Sequence, residues 1–136
     1  QGFDLGEGSG RLALSGSRQG GTVKSGRYDG LDLAQVPDWL ASANLNLRYP
    51  VTSNVSLTSN ILVSGQWGGK QELTRTSVDL DNYVLVNLRV GVEFDRVSIS
   101  AFANNLFDKL YFVAQAPTIN RYSQPRVIGV EGRITF

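Results

Sequence analysis

Few residues of this chain could carry out covalent chemistry. The sequence contains no Cys and no His, so it lacks a thiol nucleophile, the usual general base and the commonest metal ligand. Asp79 and Asp81 are two positions apart in a polar stretch, where such pairs usually form a solvated turn and less often a weak cation site. We therefore predict that the protein is not an enzyme, and we expect neither a cofactor nor a metal site.

Arginine and tyrosine residues in the polar, glycine-containing stretches remain as candidates for contact with a ligand. For any single one of them, a solvated surface position is the more common role. The net charge of +1, from 13 basic and 12 acidic residues, gives no electrostatic reason to expect nucleic-acid binding. The candidate ligand contacts are Arg27, Tyr28, Arg75, Arg121 and Tyr122.

The elements that must position these residues are β-strands. Between Tyr83 and Phe94, apolar residues occupy every second position, which places them on one face of a strand. The length of 136 residues favours one domain. We predict an all-β fold, an antiparallel up-and-down meander of about six strands, with the strands at residues 10–18, 39–49, 55–67, 83–94, 97–106 and 126–136.

The predicted connections alternate between short and long. Short turns fall at residues 50–54 and 95–96, and long polar loops fall around 19–38, 68–82 and 107–125. Outer-membrane β-barrels have short periplasmic turns and long extracellular loops. The sequence has no run of about 18 apolar residues, which a transmembrane helix would need. Barrel strands alternate in polarity, so they lack such a run as well. The pattern favours a segment of a transmembrane β-barrel.

The two faces of the predicted strands differ in polarity. Because an Arg or Lys that faces lipid at mid-depth costs roughly 2–4 kcal/mol, we expect the charged face to line a wet lumen and the apolar face to meet lipid. Aromatic residues at both ends of the apolar face would form the two interfacial girdles, and they are Trp39, Trp67, Tyr49, Phe94 and Phe136. The charged face carries Arg48, Arg89, Glu93, Glu131 and Arg133.

Three segments resemble a known family. Asn104-Asn105-Leu106-Phe107-Asp108-Lys109, followed by Tyr111, resembles the Asn-Leu-Phe-Asp-x-x-Tyr segment near the end of TonB-dependent outer-membrane receptors. Pro125-Arg126 and the alternating residues up to Phe136 resemble their last strand, and Val36-Pro37 is similar to a Val-Pro that precedes a late strand. The resemblance covers about residues 36–136, and residues 1–35 only by strand order.

The Asn-Leu-Phe-Asp segment is expected to be structural. Asn104 and Asn105 can bond to their own backbone and end a strand. Leu106 and Phe107 would then pack locally as the chain enters the loop. Phe136 resembles the terminal signal that the barrel-assembly machinery recognises, and it is also a suitable girdle residue.

The resemblance implies a fold and a function. The family's barrel has 22 strands and a plugged lumen, whereas six strands are fewer than the eight of the smallest barrels. We therefore expect residues 1–136 to be the C-terminal segment of such a barrel, with the plug domain absent. The implied function is TonB-dependent uptake of a scarce ligand, an iron chelate, a vitamin or a glycan, in the outer membrane of a Gram-negative bacterium.

The implied partners follow from that location. They are outer-membrane lipid and lipopolysaccharide, the rest of the barrel and the plug in the same or another chain, TonB through the plug, and the barrel-assembly machinery. The loop arginines and tyrosines would form part of the extracellular mouth or bind lipopolysaccharide phosphates.

Three other functions compare with this one as follows, and the pore is the main alternative. A passive porin-like or multi-chain pore would join several copies edge to edge and would need no inner-membrane energy source. A soluble β-rich binding module would need a second layer over the apolar face. An outer-membrane enzyme would need an activated nucleophile or an acid–base set, with only Asp, Glu, Lys, Ser and Tyr to supply it.

Overall fold

The protein is all-β in the computed structural model, which describes residues 1–116 and 119–136. These ranges contain one 3₁₀ turn, Gly26–Tyr28, and no α-helix, and no helix in them could cross a bilayer. The strands are β1 (Gly2–Leu5), β2 (Gly8–Arg18), β3 (Trp39–Pro50), β4 (Val55–Trp67), β5 (Tyr83–Phe94), β6 (Val97–Asn104), β7 (Phe112–Ala116), β8 (Ile119–Tyr122) and β9 (Val127–Ile134).

Seven strands form one sheet in the order β1-β2-β3-β4-β5-β6-β9, and every neighbouring pair is antiparallel. The predicted antiparallel meander is therefore confirmed. β7 and β8 form a separate two-stranded hairpin within the connection from β6 to β9. The sequence pattern predicted a plain loop there, because strands of four and five residues are too short to show a clear alternation.

β1 is a second element that the alternation did not predict. The β2 partners of its two apolar residues are glycines, Gly10 opposite Phe3 and Gly8 opposite Leu5, so the apolar pattern is interrupted where the two strands meet. A two-residue turn at Gly6-Glu7 joins them, and Gly6 has a φ of 69°, which glycine adopts without steric cost.

The last two predicted strands are each shorter than expected. β6 ends at Asn104 rather than at residue 106, and β9 covers Val127–Ile134 rather than 126–136. Register explains both limits, since Asn104 pairs with Val127 and Val97 pairs with Ile134. Phe136 lies beyond the reach of β6 and its side chain is fully exposed.

Short and long connections lie at opposite ends of the sheet. The short ones are Gly6-Glu7, residues 51–54 and Asp95-Arg96, and the long ones join β2 to β3, β4 to β5 and β6 to β9. The predicted alternation is confirmed, and β1 adds one more short turn at the same end. The sheet therefore has a turn end and a loop end.

The sheet has one apolar and one polar face, as the alternation predicted. One continuous apolar row crosses the sheet through Leu45, Ile61, Leu88, Ala103 and Ile128. No element covers this face: Ile128 is 69% exposed, and Leu80, in a loop, is the only buried apolar side chain among the described residues. The described part of the chain therefore has no ordinary hydrophobic core.

Aromatic side chains lie at both ends of the apolar face. Trp39 and Trp67 are cross-strand partners at the loop end. Tyr49 pairs with Leu57, and Phe94 pairs with Val55, at the turn end. The predicted face and end are confirmed for these four aromatic residues.

Candidate functional site: a cleft between the sheet and the β7–β8 hairpin

The β7–β8 hairpin is fixed to the loop end of the sheet at several points. The ring of Tyr111, just before β7, stacks on Tyr83 of β5 with centroids 3.8 Å apart. The backbone N–H of Phe112 donates to Asp81 Oδ2 at 2.7 Å, and that of Gln115 donates to Gln71 Oε1 at 3.3 Å. The hairpin is thus held by both β5 and the loop between β4 and β5.

Asn105 organises the base of this connection. Its Nδ2 donates to the carbonyls of Lys109 at 3.0 Å and Gln124 at 3.1 Å, and its Oδ1 accepts from Lys109 N at 2.8 Å. Its own backbone N–H donates to Asn87 Oδ1 at 2.9 Å. Asn105 is buried and has a φ of 52°, so the chain turns away directly after β6. The predicted side-chain bonds to local backbone are confirmed for Asn105.

The rest of the Asn-Leu-Phe-Asp segment forms a tight turn. Asp108 N donates to Asn105 O at 2.8 Å, and Asp108 Oδ1 accepts from Arg126 N at 2.7 Å. The bond from Arg126 joins the two ends of the long connection. The expectation that Phe107 packs locally was wrong: it is a central residue of the turn and is 75% exposed.

A cleft of about 410 Å³ lies between the hairpin and the polar face of the sheet. Its wall combines one guanidinium, aromatic rings and several side-chain amides. Its chemically distinctive lining residues are Arg121, Tyr122, Tyr111, Asn87, Asn104, Asn105 and Gln124. Tyr122 is 54% exposed, and its ring lies 4.7 Å from that of Phe112 at an angle of 35°.

This lining suits binding. Amides and a guanidinium offer directional hydrogen bonds to hydroxyl, carbonyl or anionic groups, and tyrosine rings offer flat apolar contact. Among the described residues, no group of three or more Asp and Glu side chains is placed to hold a metal ion.

The structure brings together two of the five predicted ligand contacts. Arg121 and Tyr122 both line the cleft. Arg27 and Tyr28 instead contact each other in the 3₁₀ turn, with the guanidinium 5.5 Å from the ring centroid, and Arg75 is exposed in the loop between β4 and β5. None of these three lines the cleft. Ligand contact by any of the five stays a prediction.

Sequence reasoning missed the other side chains of the cleft. Tyr111 belongs to the segment that carries the family resemblance, and Asn87 lies on the polar face near the loop end of β5. Neither position could be identified as a site from the sequence, because the cleft exists only once the hairpin is docked.

A second junction connects the two other long loops. Gln35 N donates to Lys70 O at 2.7 Å, and Gly69 N donates to Asp38 Oδ2 at 3.1 Å. Lys70 also forms an ion pair with Asp79, and this partner raises the pKa of the Lys70 ammonium. Gly69 has a φ of 93°, and a Cβ there would lie 2.3 Å from the Val36 carbonyl oxygen, so the close approach requires glycine.

The charged residues predicted for the polar face do share it. Arg48 pairs with Glu93, and Glu131 pairs with Arg89 at 2.7 Å and with Arg133 at 3.7 Å. Beside them lies a patch of amides, in which Asn60 Nδ2 donates to Asn44 Oδ1 at 2.7 Å and to Asn46 Oδ1 at 2.8 Å.

Comparison with known proteins adds no assignment. The chain matches no model of a protein family, no curated protein and no solved structure. The resemblance to TonB-dependent receptors stays a prediction that depends on the residues quoted for it.

Proposed function

We propose that this chain is part of the wall of an outer-membrane β-barrel that takes up a scarce ligand in a TonB-dependent manner. The supporting observation is the uncovered apolar face, which extends over seven strands while Leu80 is the only buried apolar side chain among the described residues. A face of this size is unfavourable in water. Hydrocarbon would cover it without a second protein layer.

The polar face and the aromatic residues fit the same placement. Charges such as Arg89 and Glu131 lie opposite the apolar face and pair with each other, as expected of a wet lumen. Trp39 and Trp67 at one end and Tyr49 and Phe94 at the other would lie at the two membrane interfaces, where amphipathic rings are favoured.

Strand direction favours a larger barrel over a ring of identical copies. Because the seven strands alternate in direction, the edge strands β1 and β9 run the same way. Copies joined head to tail would meet through a parallel β9–β1 pair, whereas bacterial outer-membrane barrels are antiparallel throughout. An odd number of additional strands between β9 and β1 would restore antiparallel pairing at both edges.

The cleft would lie at the extracellular mouth. The long loops form the end of the sheet that carries it, and in barrels of this kind long loops face the outside. Arg121 and Tyr122 would then contact the incoming ligand, and the plug and TonB would supply the energised step.

Uptake measurements test the proposal. Cells that carry the protein would be given radiolabelled ferric chelates, vitamins or oligosaccharides, with and without a protonophore. We expect uptake of one class to stop when the proton gradient is dissipated, whereas uptake that continues would support a passive pore. The double variant Arg121→Ala, Tyr122→Ala should lower uptake by about tenfold or more, since a lost charged hydrogen bond costs about 1.5–3 kcal/mol.

The matched control is Arg27→Ala, Tyr28→Ala, which removes the same two residue types from another loop. It should leave uptake unchanged, because neither side chain lines the cleft. Equal uptake by the wild type and the Arg121, Tyr122 variant, with equal amounts of folded protein, would contradict the role of the cleft.

A further inference from the structure

One charged side chain lies on the apolar face. Within the seven described strands of the large sheet, register places Arg18 opposite Trp39, and every other charged residue of these strands lies on the polar face. The loop-end row of the apolar face therefore reads Arg18, Trp39, Trp67 on β2, β3 and β4.

The guanidinium of Arg18 contacts an aromatic ring and is otherwise exposed. Its Cζ lies 5.5 Å from the ring centroid of Trp39, a cation–π distance. No carboxylate of the described chain lies within ion-pair distance of it. Trp39 is 51% exposed and Trp67 is 38% exposed, so the row is an open surface.

The surface just below this row is recessed. Gly16 and Ala41 form the next cross-strand pair on the same face, and neither has a side chain larger than a methyl group. A Cβ on Gly16 would have only the Leu40 carbonyl oxygen nearby, at 3.9 Å. An extended apolar chain could therefore lie against the sheet directly beneath the guanidinium.

We propose that Arg18, Trp39 and Trp67 form a binding site for the headgroup of an anionic lipid. The phosphate pairs with the Arg18 guanidinium, the tryptophan rings lie at headgroup level, and an acyl chain follows the recess at Gly16 and Ala41. The inference rests on the proposed function, because it requires the apolar face to lie against a bilayer. Charge complementarity selects a net anionic headgroup over a zwitterionic one.

Tryptophan fluorescence tests this directly, because Trp39 and Trp67 are the only tryptophans of the chain. The full chain would be placed in phosphatidylcholine vesicles that contain a minor fraction of either brominated phosphatidylglycerol or brominated phosphatidylcholine. Bromine quenches tryptophan at short range, so the ratio of the two quenching constants measures the headgroup preference at this row. We expect about fivefold stronger quenching by the anionic lipid, which corresponds to one basic side chain at a membrane surface.

Variants of Arg18 test whether its positive charge causes the headgroup preference. Arg18→Gln should remove the preference, and Arg18→Lys should retain most of it. Arg11→Gln is the matched control, because Arg11 lies on the same strand but on the polar face, opposite Asn46, and the preference should persist. Equal quenching by the two lipids in the wild type, or a preference that survives Arg18→Gln, would overturn the lipid site while leaving the membrane placement intact. Quenching by neither lipid would overturn both.

Discussion

Arg89 on β5 and Glu131 on β9 form an ion pair with 2.7 Å between Nη1 and Oε2, although β6 lies between their strands. Ser100 of β6 accepts a hydrogen bond from the same guanidinium nitrogen at 3.0 Å. The contact therefore links three strands on the polar face, where water can solvate both charges. On the opposite face of the same strands every side chain is apolar.

Glu131→Gln should have little effect on stability. The two side chains of the pair are 45% and 41% exposed, and ion pairs in contact with water contribute little because solvent already screens them. Urea titration of the chain in vesicles should show nearly the same midpoint as the wild type. A large drop would mean that this face is sealed from water.

Ile128→Arg should be far more harmful, although Ile128 is already 69% exposed. It lies in the central row of the apolar face, where an arginine that faces lipid costs about 2–4 kcal/mol. The same urea titration measures this loss. Val127→Arg, one residue earlier and on the polar face, is the control and should cost much less. An equally small effect of both variants would place water on both faces.

Asn105 offers a test of the hairpin base. Asn105→Ala should lower the free energy of unfolding by about 1–3 kcal/mol, because it leaves buried backbone groups without partners. Asn105→Gly loses the same side-chain bonds but tolerates the φ of 52°, so it should fall between the wild type and Ala. Hydrogen exchange at β7 and β8 should speed up in both variants while β3 and β4 stay protected. Uniform faster exchange in all strands would contradict a local role.

Lys70 should be protected from acylation by its ion pair with Asp79. A lysine whose pKa is raised in the folded state stabilises the fold fully below its ordinary value of 10.5 and loses that contribution as the pH rises through the folded value. That contribution should be small, because the side chains of Lys70 and Asp79 are 40% and 75% exposed and water screens the pair. Mass spectrometry after mild acetylation should show Lys70 modified more slowly than Lys24, and Asp79→Asn should speed up Lys70 alone. Unchanged rates would contradict the pairing.

The sheet was largely predictable because its strands are long and strictly alternating. Tyr83 to Phe94 and Val55 to Trp67 have the bounds that the sequence predicted. β1 was missed because its apolar residues face Gly8 and Gly10 of β2. These glycines have no side chains, so they interrupt the apolar alternation. The hairpin was missed for two reasons. Its strands are short, and it is held in place by the stacking of Tyr111 on Tyr83, which are distant in sequence.

The candidate site was predictable only in part. Arg121 and Tyr122 stood out by residue type alone, since cations and aromatic rings in loops are common ligand contacts. Asn87 and Asn104 are strand residues, and their place in the cleft depends on where the hairpin docks. Periodicity determines the face of a strand residue but not which loop will cover it.

The most direct test of the membrane placement is the accessibility of β5 to two paramagnetic reagents. The chain has no cysteine, so single cysteines introduced in turn at residues 86–93 can each carry one nitroxide in vesicles. Oxygen concentrates in the bilayer, and a nickel chelate stays in water. We expect high oxygen and low nickel accessibility at Val86, Leu88, Val90 and Val92, and the reverse at Asn87, Arg89, Gly91 and Glu93. Low accessibility to both reagents at the first set would mean that protein covers the apolar face, and high nickel accessibility there would mean that water does; either result would contradict the account.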